Sequence, residues 1–378
     1  MTKSKIFDVI IVGGGLAGLT NAIHLSKVNQ SVLLIEKNSY PKHKVCGEYI
    51  SNEVIPYLNF LGIDPIREGA KKITEVQIST TEGNLIKGDL PLGGFGMSRF
   101  FLDTLLLKKA LFNGVKVLKD SVSSISYKDG IFLVKTKNSK SYESKITIGA
   151  FGKRSDLDQK MKRKFIQNKS PYLAVKIHVK GDFPDNMIGL HNFNGGYCGV
   201  SKVENNSINL CYITDYESFK KFKNISNFQR KVVYKNRYLK KIFKQSTSVF
   251  EKPLTISQIS FETKRPVENH IIMCGDTAGM IHPLCGNGMG MAIISAKLAS
   301  NLILQFLNGE IKTRECFEKK YIKYWNREFK SRLLTGHFIA MLFKNKTISK
   351  FAYSILKMIP FLLTVMIKFT HGKKIKII

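Results

Sequence analysis

Two glycine-rich loops, one near each end of a 378-residue chain, are where residue type and spacing point most directly to chemistry. The first places glycines at Gly13, Gly15 and Gly18 and an acid at Glu36. In such a pattern Gly13 makes a tight turn, Gly15 lets the backbone approach a pyrophosphate, and Gly18 lets a helix pack closely on a strand. The helix start at Leu16 and Ala17 presents N–H groups and the positive dipole end to phosphate. Glu36, with Lys37 after it, stands at a strand tip where a carboxylate accepts ribose hydroxyls. This combination predicts a dinucleotide site and leaves FAD and NAD both open. The second loop runs from Gly275-Asp276 through His282-Pro283 and Cys285 to Gly286, Gly288, Met289 and Gly290. Side chains able to move a proton near these loops are Cys46, Glu48 and His282, with His191 and Tyr197 as further candidates.

These residues need strands and helices to hold them. Ile6 to Val12 is a continuous apolar run, as expected of a parallel strand buried on both faces. Ala17 to Val28 has helical periodicity, and Ser31 to Ile35 reads as a second strand. His270 to Cys274 is a third such strand, followed by the second loop and an apolar helix from Met289 to about Leu307. Lys72 to Gly88 reads as a hairpin around Glu82-Gly83-Asn84, and Tyr172 to Ile213 as two or three alternating strands. Asp215 to Lys244 has the spacing of one or two solvated amphipathic helices. Phe351 to Thr370 is mostly apolar but interrupted by Lys357, Pro360 and Lys368, with a basic tail at Lys373, Lys374 and Lys376. A spanning helix needs ~20 apolar residues in a row. A helix lying on an anionic surface and a helix packed over a substrate cavity are the stronger readings.

Composition narrows the class. A hydrophobic fraction of 43% excludes a largely disordered chain. The net charge of +32 comes from lysines spread along the whole chain, not from one stripe interleaved with aromatics. Nucleic acid is therefore not an expected partner, and an anionic membrane surface or an acidic cofactor is. The six cysteines form no C-x-x-C pair, so neither a metal site nor a disulfide framework is expected. They fit a reducing, cytoplasmic setting, and the basic, apolar C-terminus leaves open a peripheral place at the inner face of a membrane.

The second loop resembles the second FAD-binding signature of glutathione-reductase-like flavoproteins, in which the Gly-Asp after a strand contacts the ribityl and pyrophosphate region. Four segments together resemble the p-hydroxybenzoate-hydroxylase-type flavoproteins, most closely the geranylgeranyl reductase branch. They are the Gly13–Gly18 loop, Lys44-Val-Cys46-Gly47-Glu48-Tyr-Ile-Ser51, Arg99-x-x-x-Asp103-x-x-Leu106, and Gly275 to Gly290. The resemblance implies that Cys46-Gly47 lies beside the flavin and that Arg99 contacts the cofactor. Gly196-Tyr197-Cys-Gly-Val200 resembles a family hairpin but lacks its Trp, Phe and Pro. Phe151, in Ala150-Phe151-Gly152, stands where the family pattern has an aspartate that serves FAD and NADPH in the hydroxylases.

The resemblance implies an α/β fold: a Rossmann-type FAD-binding domain, an inserted β-sheet substrate domain and a helical C-terminus. Residues 1–70, 97–156 and 266–330 are expected to form the first, 71–96 and 157–265 the second, and 331–378 the third. The implied activity is reduction of carbon–carbon double bonds in a lipophilic substrate by reduced FAD, with NAD(P)H or a carrier such as ferredoxin as reductant. A monooxygenase or epoxidase using NAD(P)H and O2 is the alternative, and a non-catalytic flavin-binding protein at a membrane is a second.

Overall fold

The computed structural model describes residues 6–377 except Lys169, Lys223, Gln258, Asn345 and Pro360, together with the side chains outside residues 342–350. The expected interruption at Pro360 lies outside the described residues. Two sheets make up the molecule, and each expected strand run falls in one of them.

The first sheet is built on the apolar runs. Ile271–Met273, Ser141–Gly149, Phe7–Val12, Val32–Glu36 and Lys116–Lys119 lie side by side and parallel. Val9 and Ile11 face a core shared with the helices Leu16–Lys27, Arg99–Phe112 and Gly288–Leu307. Ile10 and Val12 face the other way, against Val122, Val134 and Leu157. Burial on both faces is why these strands carry unbroken apolar sequence. The Gly288–Leu307 helix is apolar enough to cross a membrane. Here it is a core helix, with Ser300 bonded to Asn21 at 2.9 Å inside the body.

The second sheet runs in the order Thr247–Ser248, Tyr172–Lys180, Ile208–Asp215, Gly196–Lys202, Met187–Phe193, Lys71–Ser79, Leu85–Gly96, Tyr49–Ser51. Tyr172 to Asp215 supplies four strands where two or three were expected, because Gly195-Gly196 and the Glu204–Asn206 turn each reverse the chain. The stretch after Asp215 forms three short helices, Tyr216–Lys220, Ile225–Lys231 and Arg237–Gln245. Two of them are not simply solvated, since Phe228, Leu239 and Ile242 are buried against one face of this sheet. Tyr49–Ser51, from the segment 1–70 expected in the first domain, pairs instead with Gly94–Gly96 of the second sheet.

The C-terminal part begins with a helix, Arg314–Lys344, that runs unbroken through the expected boundary at residue 330. Helices Lys346–Met358 and Phe361–Thr370 follow, and Tyr353, Leu356 and Leu363 pack on Val76, Ile78, Leu90 and Ile188 of the second sheet. Beyond them Gly372 N–H donates to Glu53 Oε2 at 2.8 Å, and Ile375 N–H donates to the Glu53 carbonyl at 2.9 Å.

Candidate functional site

A cleft of about 700 Å³ opens at the carboxyl ends of the parallel strands, the place where open α/β sheets bind ligands. Four of the five parallel strands lead into residues singled out from the sequence, and Lys116–Lys119 is the exception. Phe7–Val12 ends on Gly13, whose φ is +106° and whose missing side chain would collide with the Ala150 carbonyl. A side chain at Gly18 would strike the Gly13 carbonyl, so the helix docks on the strand end only with glycine there. Gly15 caps that helix with no side-chain partner, and the Leu16–Ala17 turn lines the cleft. At the Gly275 end φ is +62°, and a side chain would press on Ala17 and Ala292 at 3.1 and 3.4 Å.

Glu36 is buried and lines the cleft. Its Oε2 accepts the Gly14 N–H at 2.7 Å and its Oε1 accepts the Asn38 backbone and side-chain N–H groups at 2.8 and 2.6 Å. The Tyr40 hydroxyl donates to the Gly14 carbonyl. A carboxylate offers about four lone-pair sites, so Glu36 has acceptor capacity left while its position is fixed.

Arg99 forms a fork to Asp103, Nε and Nη2 each at 2.8 Å from one carboxylate oxygen, and Lys44 Nζ joins Asp103 at 2.8 Å. Burial opposes the charge on Arg99, but Asp103 outweighs it and raises the guanidinium pKa. Lys37, Lys42, Lys44, Arg99, Lys153 and Arg154 all line the cleft, a cationic surround suited to a pyrophosphate. Asp276, Gly286, Gly288 and Met289 line it from the second loop, and the Gly288–Leu307 helix also starts without a side-chain cap.

The Cys46-Gly47-Glu48 segment lies in the cleft wall and is held from the second sheet. Cys46 Sγ is 3.3 Å from Met289 Sδ. Asn209 Nδ2 donates to the Cys46 and Gly47 carbonyls at 3.2 and 2.8 Å, and Lys176 Nζ donates to the Lys44 carbonyl at 3.1 Å. Glu48 sits in the left-handed region at φ +55° and is fully buried. Its carboxylate takes the Arg99 N–H at 2.7 Å, His178 Nε2 at 2.6 Å and Lys176 Nζ. Burial alone would raise the Glu48 carboxyl, but Lys176 and His178 outweigh it and hold it below the ordinary value.

His282 lies behind the wall. Its Nδ1 accepts the Leu284 N–H at 3.4 Å, and its ring sits among Tyr172, Tyr197 and Phe261. Burial pushes it down to about 4, leaving it neutral at pH 7. Tyr197 lines the cleft, and burial raises its hydroxyl well above the ordinary value. His191 is bonded to Ser79 at 2.8 Å and stacks on Tyr238, away from the cleft. Cys285 lines a second, smaller chamber of about 70 Å³ under the C-terminal helices, and Cys274 is core.

Some cleft residues were not singled out from the sequence. Asp120 and Ser121 follow the strand Lys116–Lys119, which pairs with Val32–Glu36. The rule that ligands bind beyond parallel strand ends points to them once that strand is placed. Lys153, Lys176 and Asn209 carry no local signal, since they meet the site from distant segments.

A model of the FAD binding domain matches residues 8–44. Digeranylgeranylglycerophospholipid reductase 1 of Methanosphaera stadtmanae is 22% identical over 347 residues, covering 85% of this chain and 81% of that protein. Among solved structures, the flavin-dependent brominase Bmp2 aligns with a TM-score of 0.80 at 19% identity, covering 97% of this chain and 93% of that one. A geranylgeranyl bacteriochlorophyll reductase-like protein of Thermoplasma acidophilum aligns with a TM-score of 0.74 at 19% identity, covering 92% and 90%. The α/β fold with its Rossmann-type domain and helical C-terminus is shared with these structures. The glycine cradle, the uncapped helix ends and the cationic surround fit FAD, and FAD is the cofactor of this cleft.

Proposed function

We propose that this FAD-dependent oxidoreductase reduces carbon–carbon double bonds of a lipophilic, isoprenoid- or polyene-like substrate. The observation that carries the reading is the continuity of the cleft. The glycine cradle opens directly onto a wall of the second sheet and its neighbours made of Ala174, Leu190, Ile213, Ile256 and Met280. Such a wall binds an apolar chain by excluding water and offers few polar groups to anything else. Bound FAD supplies the hydride.

The chain's own residues then have distinct tasks. Arg99, Lys44 and the two helix starts hold the cofactor's phosphates, and Glu36 its ribose. Tyr197 and Cys46 face the cleft and are the groups that can hold a proton for the substrate carbon; burial keeps the tyrosine protonated. Glu48 and His282 are read as positioning residues. Glu48 is a buried anion paired with Lys176 and His178 and bonded to the Arg99 N–H, and neutral His282 braces the ring of Tyr197 from behind. Phe151 lines the cleft in place of the family's aspartate, which favours a protein carrier over NADPH as reductant.

The test is anaerobic reduction of the purified flavoprotein with NADH, NADPH or dithionite, followed by a polyprenyl lipid. Reoxidation of the flavin by the lipid with loss of a double bond is the expected result. Reoxidation by O2 alone, with an oxygen atom entering the added substrate, supports the monooxygenase reading instead.

A further inference from the structure

The end of the chain combines two properties that a water-exposed surface seldom joins. After Glu328 there are ten Lys or Arg residues and no Asp or Glu. Over the same stretch Met341, Phe351, Met358, Ile359, Phe361 and Phe369 are 50–81% exposed. Single exposed apolar residues are ordinary, but a group of this size on adjoining helices marks an interaction surface.

The helix Phe361–Thr370 shows why. Its Leu363, Met366 and Ile367 line the small chamber against Val76, Leu90 and Ile188, which accounts for one face. Phe361 and Phe369 stand out on the solvent side at 67% and 64% exposure. A helix with apolar side chains on opposite sides requires cover on both. The preceding helix meets it at 112°, so the two form an elbow, not one straight span, with Met358, Ile359 and Phe361 around the bend. Lys357, Lys368, Lys373, Lys374 and Lys376 are exposed around it.

We propose that this elbow is a docking surface for an anionic phospholipid bilayer. The bend and its aromatic side chains seat at the headgroup–acyl boundary, and the lysines meet lipid phosphates. Charge selects this occupant over a second copy of the chain. Two molecules of net charge +32 apposed through segments that contain no acid repel each other. The proposal stands on this surface alone and is independent of the reaction in the cleft.

The experiment is co-sedimentation of the full-length, FAD-loaded protein with vesicles of phosphatidylcholine alone or mixed with phosphatidylglycerol, alongside size-exclusion chromatography. Sedimentation with the mixed vesicles is expected, falling at least tenfold with phosphatidylcholine alone or in 0.5 M salt. The pair K373Q/K374Q is expected to lower partitioning by roughly tenfold or more, at about 1 kcal/mol per lysine. The pair M358D/F361D is expected to abolish it while flavin absorbance and elution volume stay unchanged. Equal partitioning to both vesicle types, no loss in either variant, or elution as a dimer that M358D/F361D converts to a monomer overturns the proposal. Should the aspartate pair lose its flavin, the lysine pair decides.

Discussion

Glu48 and Lys176 form an ion pair in which neither side chain has any solvent exposure. Glu48 directly precedes the strand Tyr49–Ser51 and Lys176 lies in Tyr172–Lys180, separate strands of the second sheet, so a contact 128 residues apart in sequence fixes the segment between Lys44 and Glu48 to that sheet. Removing one partner leaves a buried charge uncompensated. Lys176→Met is expected to destabilise the protein by ~3–5 kcal/mol, and the double variant Lys176→Met, Glu48→Gln to recover much of that. Denaturant unfolding of the three proteins checks it, and a double variant no better than the single one contradicts the pairing.

Cofactor retention depends on backbone approach at the first loop. Gly18→Ala forces a methyl group into the Gly13 carbonyl, so the helix start must withdraw from the phosphates. The variant is expected to purify colourless while keeping its far-ultraviolet circular dichroism. Arg99→Met, which removes a cation but not the turn, is expected to weaken FAD binding roughly tenfold to a hundredfold, read by flavin fluorescence on titration.

The two proton-holding candidates separate by chemistry. Tyr197→Phe keeps the ring that packs on His282 and removes only the hydroxyl. If that hydroxyl supplies the proton, the rate of flavin reoxidation by substrate falls roughly a hundredfold, with the rate of flavin reduction unchanged. Cys46→Ala is then expected to shift the flavin absorbance through its neighbour Met289 and leave reoxidation within a few fold. The reverse pattern assigns the proton to Cys46.

Acid sensitivity follows from the buried histidines. His24, His191, His282 and His371 are each pushed by burial to about 4 from an ordinary value of 6.5. In the window between those values the unfolded chain binds protons that the folded one refuses. Stability from these sites is thus complete above pH 6.5 and lost as pH falls through 4. Glu48, held below its ordinary value, adds a loss of the same sign at the acid end. The melting temperature of the FAD-loaded protein is expected to fall steeply between pH 6.5 and 4, and His282→Phe to soften that fall.

Much of the cofactor end of the molecule is legible in the order of its residues. Gly13 and Gly18 declare themselves because a close backbone approach leaves no room for a side chain, Gly275 through its left-handed backbone, and the strands that lead into them because burial on both faces demands apolar runs. The Lys176–Glu48 pair is not legible in this way. Nothing in the alternation of Tyr172–Lys180 distinguishes a lysine buried against a carboxylate from one facing water. His282 misleads for a similar reason, since a histidine that precedes a proline beside a glycine loop looks poised for proton transfer until its ring is found among aromatics. The strand Tyr49–Ser51 is not legible either, since its partner, Gly94–Gly96, lies more than forty residues on and three residues carry too little pattern to point to it. The expected helix over a substrate cavity is not what the C-terminal helices form: they pack on the second sheet over the small chamber, and the cleft lining stops at Ala292.

Glu53 ties the end of the chain to the body. It is fully buried, and it receives Arg332 at 3.1 Å and the Gly372 N–H at 2.8 Å, while its carbonyl takes the N–H of Ile375. A ribosome delivers Glu53 long before these partners. The nascent chain therefore carries this acid through most of synthesis without the groups that neutralise it, and domains that fold as they emerge do so N-terminus first. Lys176, His178 and Asn209 can hold the Lys44–Glu48 segment earlier, whereas the bonds to Glu53 from Gly372 and Ile375 must form last. A chain that stops short of Gly372 lacks these two bonds and leaves the buried Glu53 with the Arg332 guanidinium alone to balance its charge at this end.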